Sequence, residues 1–362
     1  MILTVLIFIV ILGVLVFVHE LGHFWIAKRN GVRIDEFGFG FPPRIFGIKK
    51  GETIYSINAI PLGGFVKIYG EEGEGVSQPR SFMCKSAWQK ARILFAGVGM
   101  NFLLAVFLFS LGHFIGLPTA IDESQVSQYP NAKLQIVGLA NDSPAANAGM
   151  LAGDFVASVK NSEGRVLDGI KMPGEFQEFV AGEKGKDIKI IVERGGSKTE
   201  LVMTPRVAPP SDQGPLGVEL ASVANIRLAW YQAIWQGFLT TISLAWLLVS
   251  TLYLIIRNLF VIGRVNIDVV GPVGIFNITG QAVTMGFIYL LQLTAMLSIN
   301  LAVINAFPFP ALDGGRGLFL LIEKIKGSPI KIRTANLVNS IGFALLIALM
   351  VFITFRDITK IF

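Results

Sequence analysis

His19-Glu20-Leu21-Gly22-His23 is the stretch of this chain best equipped for chemistry. On a helix, residues four apart share a face, so both imidazoles can hold one zinc ion, with Glu20 beside it as general base. The pentapeptide closes an apolar run, because Ile2 to Val18 carries no charge. Ionisable side chains at membrane depth are costly, and a cluster of them there points to function. The competing reading is a helix end whose histidines cap the helix or touch lipid headgroups. Catalytic zinc takes three protein ligands and a water, and a carboxylate oxygen is an accepted third ligand. Asp313 is the acid embedded at the end of a later apolar run, in Asn305-Ala306-Phe307-Pro308-Phe309-Pro310-Ala311-Leu312-Asp313-Gly314-Gly315. The prolines break the helix, and the glycines let backbones approach closely. For Asp313 the competing reading is an N-cap of a helix starting near Gly317.

These residues must be held by membrane elements. The chain has 362 residues, 52% hydrophobic and 15% charged, with mean hydropathy +0.61. That composition indicates a polytopic membrane protein with some soluble mass. The net charge of +6 is spread over loops without a basic stripe, which argues against nucleic acid as a partner. Lys and Arg instead crowd the segment from Lys28 to Arg92, marking it as cytoplasmic. The single cysteine, Cys84, lies there; no disulfide can form, and a reduced, inert thiol is expected. The first apolar run has no basic residue ahead of it and no small-residue cleavage site after it, so a retained helix with its N-terminus outside is expected.

A first helix is expected over Ile2–Ala27. A Gly/Pro-broken apolar stretch follows, through Gly38–Pro43, Tyr55–Asn58 and Ile60–Lys67. It suits a re-entrant β-hairpin beside the active site, or an interfacial hairpin without a catalytic role. A second helix over Ala91–Leu117 carries Gly97 and Gly99, which permit close packing, and Asn101, which can hydrogen-bond across helices. His113 sits roughly 30 Å up that helix and is not expected at the metal. Residues 130–206 change to short β-like runs around Asp142-Ser143-Pro144-Ala145-Ala146-Asn147-Ala148-Gly149, Gly153-Asp154 and a Gly195-Gly196 turn. This stretch resembles a PDZ domain, which implies a groove that takes a peptide ligand by strand addition. A Pro-rich linker (Pro205–Pro215) leads to apolar runs at Trp230–Gly263, Gly286–Phe307 and Val338–Phe355, with a basic loop over Lys324–Arg333.

Taken in order, HELGH after an apolar helix, Pro61-Leu62-Gly63-Gly64-Phe65-Val66-Lys67, the PDZ-like insert, Gly271-Pro272-Val273-Gly274-Ile275-Phe276 and the Asn305–Gly315 stretch resemble the site-2 protease family of zinc intramembrane proteases. The bacterial RseP-like branch, which cleaves anti-sigma factors, is the nearest type. The resemblance covers almost the whole chain, with room for one PDZ domain where some members carry two, and with Gly-Val-Gly before Asn101 where a proline is expected. It implies that His19, His23 and Asp313 bind Zn2+, that Glu20 is the catalytic base and that Asn305 helps hold substrate. Gly63, Gly64 and Phe65 belong to the strand expected to hold an extended substrate segment.

The expected fold is an α-helical polytopic membrane protein of about four transmembrane helices. A re-entrant β-hairpin, an interfacial helix and an inserted small α+β PDZ-like domain complete it. Three regions are expected: 1–117, 130–206 and 230–362. Were Trp230–Gly263 to span, Asp313 would fall on the opposite side from His23; that segment, with Arg257, Asn258 and the following Arg264, is therefore expected to lie in the interface or re-enter. The site faces the cytoplasm and the PDZ-like domain lies outside a bacterial inner membrane. The expected reaction is zinc-dependent hydrolysis of peptide bonds in single-span membrane proteins, such as anti-sigma factors or signal-peptide remnants. The alternative is a membrane-anchored PDZ scaffold with a non-catalytic metal, which leaves Glu20 without a purpose. A metal permease needs polar residues staggered through several helices, and a serine or aspartyl protease lacks GxSxG or a second membrane-depth aspartate.

Overall fold

The computed structural model describes residues 1–71, 78–140, 142–211, 213–261, 263 and 270–359, with the side chain of every one but residue 62. Arg264 and residues 360–362 lie outside the described residues. In chain order the first elements are α1 (Ile2–Arg29), β1 (Ile34–Lys50), β2 (Thr53–Ile68), α2 (Ala87–Leu94) and α3 (Ala96–Ile115). Then come β3 (Pro118–Ala120), β4 (Lys133–Leu139), α4 (Pro144–Asn147), β5 (Phe155–Asn161), β6 (Val166–Asp168), α5 (Pro173–Gly182), β7 (Ile188–Arg194), β8 (Ser197–Met203) and β9 (Val218–Asn225). The last are α6 (Trp230–Val261), α7 (Pro272–Met285), α8 (Phe287–Ala306), α9 (Asp313–Lys326) and α10 (Ile332–Thr359).

The chain forms two compact units, one of Met1–Leu111, Tyr231–Gln281 and Leu290–Phe362, the other of Gly112–Trp230 and Ala282–Tyr289. In the first, α1 is apolar up to His19, but its buried side chains fall on one ridge. Ile11, Leu15, His19, His23 and Ala27 recur every fourth residue along it, the spacing of a single helix face. Gly22 brings α1 against α3, since a Cβ there would meet the Ala96 carbonyl oxygen at 2.4 Å. The expected helix over Ala91–Leu117 is two helices. Ser86 and Gln89 form a capping box that starts α2, and the chain restarts as α3 after Phe95.

The hairpin of β1 and β2 is more folded than expected. Phe37 lies opposite Val66 on one side and Tyr55 on the other, and Phe39 opposite Gly64 and Ile57. Farther along, Ile48 lies opposite Tyr55. The two strands therefore make four arms, ordered 64–68, 34–39, 54–57 and 44–50, with 64–68 and 44–50 at the edges.

Five described helices are long and apolar enough to cross a membrane: α1, α3, α6, α8 and α10. The segment expected to re-enter or lie in the interface is one unbroken helix, α6, of 32 residues. It runs along α3: Gly237 abuts Ser110, and Leu244, Ala245 and Leu248 pack with Val98 and Phe102 around Ala105, Ile299 and Ala302. The shorter α7 lies along the start of α1, with the Phe276 and Phe8 ring centroids 5.6 Å apart and Gly280 facing Thr4.

In the second unit the strand order is β3-β9-β4-β5-β7-β8, with β6 on β5. The α5 side chains Phe176, Phe179 and Val180 close a core over Leu134, Ile136, Ile188 and Ile190. The sheet extends beyond 130–206, because β3 and β9 belong to it. The Ser-Pro-Ala-Ala motif is a helix start, with Ser143 Oγ accepting from Ala146 N and Pro144 in the first turn of α4. The Gly-Asp motif is an anchor. Buried Asp154 accepts two bonds of 2.7 Å from Arg194 and one of 2.9 Å from Leu151 N. That pairing raises the Arg194 guanidinium above its ordinary value.

Candidate metal centre

α1 delivers two imidazoles and α9 delivers a carboxylate. His19 Nε2 lies 3.2 Å from His23 Nε2, and Asp313 Oδ2 lies 3.0 Å from the first and 3.3 Å from the second. One ligand atom from each of the three residues falls within 4.8 Å of the others. Asp313 Oδ2 is buried without a hydrogen-bond partner. His23 Nδ1 donates to the Ile93 carbonyl at 2.8 Å, which leaves the Nε2 lone pair directed at the cluster. Two imidazole nitrogens and one carboxylate oxygen are a donor set that suits zinc.

Gly97 makes the room: a Cβ there would lie 2.4 Å from His23 Nε2 and 2.7 Å from His19 Nε2. Burial works against a charge on Asp313, but the two imidazoles outweigh it and hold its carboxyl well below the usual carboxylate range. A half-buried acid with one buried, unpaired oxygen between two imidazoles fits a divalent cation.

The approach of Asp313 is set by the turn ahead of it. The N-cap of α9 is Leu312, with no side-chain cap. Asp313 is the first helical residue, so it does not serve as the N-cap that the competing reading gave it. Cβ atoms on Gly314 or Gly315 would lie 2.3 Å from the Ala306 or 2.1 Å from the Phe309 carbonyl oxygen. The first turn of α9 thus folds tightly against the end of α8. Ala311 holds a left-handed φ of 77°, steadied by its N–H donating to Asn339 Oδ1 at 3.1 Å.

Glu20 is half-buried on α1, three residues before His23 and so on the same side of the helix. The 64–68 arm passes it, with the Cβ position of Gly64 3.7 Å from Glu20 Cγ. Gly63 and Gly64 are buried and Phe65 is half-buried. Asn305 is half-buried in the last turn of α8. His113 is in the last turn of α3, and Cys84 is exposed; neither joins the cluster.

Two contacts were not read from the sequence. Asn101 is fully buried, with Nδ2 3.3 Å from His19 Nδ1, and its carbonyl accepts from Ser298 Oγ at 2.8 Å. Gly97 was read as a packing residue, without its place against the imidazoles. The one signal for both was a cluster of small residues and an amide at the start of an apolar helix.

Residues 7–349 match the profile of Peptidase family M50. The chain belongs to peptidase family M50. Among relatives, the zinc metalloprotease RasP of Bacillus licheniformis is 32% identical, with 99% of each chain covered. The regulator of sigma-W protease RasP of Bacillus subtilis is 30% identical over 99% of each. A Clostridium perfringens protein whose name includes the words zinc metalloprotease is 37% identical over 95% of each. With five apolar helices, this M50 peptidase is a multi-pass membrane protein.

Proposed function

We propose that this chain is a zinc-dependent intramembrane endopeptidase in which His19, His23 and Asp313 hold the metal and Glu20 is the catalytic base. The convergence of three ligand atoms from α1 and α9 within 4.8 Å carries the reading. Bound there, zinc supplies a Lewis acid that acidifies a water and polarises a peptide carbonyl. Glu20 takes the proton of the attacking water on its carboxylate and gives it to the departing amide nitrogen. The new C–O bond forms first, and the peptide C–N bond breaks once its nitrogen has taken the proton from Glu20, leaving a carboxylate and an amine. Glu20→Gln tests this in membranes supplied with a panel of single-span proteins. Zinc content should persist while cleavage disappears; equal cleavage by the variant removes Glu20 from the mechanism.

Substrates are helical membrane segments, whose carbonyls are occupied by their own hydrogen bonds until they unwind. The 64–68 arm is an edge strand beside Glu20, and no described strand pairs with its outer side. Strand addition there, through Gly64 and Phe65, would hold an unwound segment extended. The Tyr55–Ile57 arm is flanked on both sides and cannot do this. Asn305, at the end of α8, bonds the substrate backbone near the metal.

The metal faces the cytoplasm, on the side of the basic Lys28–Arg92 segment. α6 crosses rather than lying in the interface, a reading supported by its run along α3. The parity argument against a span there is met by α7. α7 stands beside Thr4 and Phe8, at the end of α1 opposite His23, so α8, which follows it, runs inward and Asp313 returns to the depth of His23. Residues 118–225 form a PDZ-like domain on the outer side, with a short peptide groove along the part of β9 before Ser222. The substrate class is a single-span membrane protein, such as an anti-sigma factor.

A further inference from the structure

We infer that Asn101 is a positioning residue for the metal: in the metal-bound state its side-chain Oδ1, after a half-turn of the amide, accepts the Nδ1 proton of His19 and so fixes which imidazole nitrogen faces the ion. The inference rests on the assignment of His19 to the metal. An imidazole that gives its Nε2 lone pair to a cation must carry its proton on Nδ1, and that N–H needs an acceptor. His23 has one in the Ile93 carbonyl. His19 Nδ1 instead faces the Asn101 amide at 3.3 Å, inside a site where Asn101 is 0% exposed.

The backbone at Asn101 is anchored: Ser298 Oγ on α8 donates to the Asn101 main-chain carbonyl at 2.8 Å, which ties that turn of α3 to α8 and leaves the side-chain amide free to turn. Asn101 Nδ2 is the atom nearest His19, while Asn101 Oδ1 is buried without a partner. This is the arrangement for an imidazole whose Nδ1 is the acceptor and whose proton is on Nε2, the nitrogen that lies 3.0 Å from Asp313 Oδ2. When a cation replaces that proton, Nδ1 turns from acceptor to donor. A half-turn of the amide then brings the unpartnered Oδ1 to it, and the two ends are nearly the same size. Among the common side chains of this volume, asparagine can serve both states. Aspartate serves the metal-bound state alone, and leucine serves neither.

The test uses the full-length protein in detergent, loaded with zinc and titrated with a chelator, with zinc per chain measured directly. Four proteins are compared: wild type, His23→Ala, Asn101→Leu and Asn101→Asp. Wild type should hold zinc and His23→Ala should not. Asn101→Leu should release it at a chelator concentration about 10- to 100-fold lower than wild type. Asn101→Asp should hold it at least as well as wild type, although a buried carboxylate is the harsher change for packing. Asn101→Leu matching wild type overturns the inference. So does Asn101→Asp releasing zinc as easily as Asn101→Leu, since that is the pattern of a packing role. If the leucine variant fails to fold, zinc retention by Asn101→Asp against wild type decides alone. Equal zinc in wild type and His23→Ala overturns the ligand assignment itself, and this inference with it.

Discussion

Gly97→Ala places a methyl group against the imidazoles of His19 and His23. Its Cβ would stand 2.4 Å from His23 Nε2 and 2.7 Å from His19 Nε2. Carbon contacts settle near ~3.5 Å, so the rings or α3 must retreat by about 1 Å. Neither ring is free to do so, because His23 is tied to the Ile93 carbonyl and His19 contacts Asn101. Metal–ligand bonds tolerate only about 0.2 Å. Overpacking of this kind costs roughly 1–3 kcal/mol. At about 1.4 kcal/mol per tenfold, that weakens zinc binding by about 5- to 150-fold. Alanine in a helix is favoured over glycine by about 1 kcal/mol, which offsets part of that overpacking cost, so the fold should lose no more than about 2 kcal/mol. Gly99→Ala is the control, since a Cβ there meets nothing within 4 Å. Chelator competition on purified protein, with thermal melting of the same samples, reads both effects. Gly97→Ala binding zinc as tightly as Gly99→Ala would refute the packing argument.

Other outcomes follow from the same geometry. Asp313→Ala should empty the site, and added zinc should no longer raise the melting temperature; a preserved zinc-dependent rise would remove Asp313 from the ligand set. Proline at Phe65, Val66 or Lys67 in turn should abolish cleavage at the positions whose N–H faces the outer edge, with zinc content intact; full cleavage by all three would exclude strand addition there. Asp154→Ala removes the buried carboxylate that Arg194 and Leu151 N bond to and should destabilise the 118–225 sheet by about 1.5–3 kcal/mol, read as faster proteolysis within that segment; an unchanged digestion rate would mean the pair is not an anchor. A cysteine at Arg257, with Cys84 replaced, should react with an impermeant label only from the cytoplasmic face; labelling from outside would return α6 to the interface.

The convergence of His19, His23 and Asp313 was legible because histidine and aspartate are rare at the ends of apolar runs, where each needs a chemical reason. The broken stretch before Asp313 was legible for the same kind of reason, since Pro308, Pro310, Gly314 and Gly315 forbid a continuous helix. The four-arm sheet was not. Phe37 and Phe39 each have two partners, and register between long bent strands depends on contacts far apart in sequence. That the segment 230–261 is one unbroken helix, α6, was not legible, because parity was counted over long helices alone, and α7, with 14 residues, is too short for that count. In the second unit, β9 hid behind the Pro-rich linker, so the sheet was read too short. Gly97 and Asn101 show the limit most directly, because a glycine and an amide in an apolar helix read as packing until the imidazoles opposite them are in place.

X-ray absorption at the zinc edge, on the full-length protein and on Asp313→Ala, tests the central assignment most directly. Two imidazole nitrogens at about 2.0–2.1 Å and carboxylate or water oxygen at about 2.0–2.2 Å are predicted, with no sulfur. The imidazole signal should fall together with the zinc content in Asp313→Ala. A sulfur neighbour, which Cys84 would have to supply, or a coordination shell unchanged by the loss of Asp313, would contradict the account.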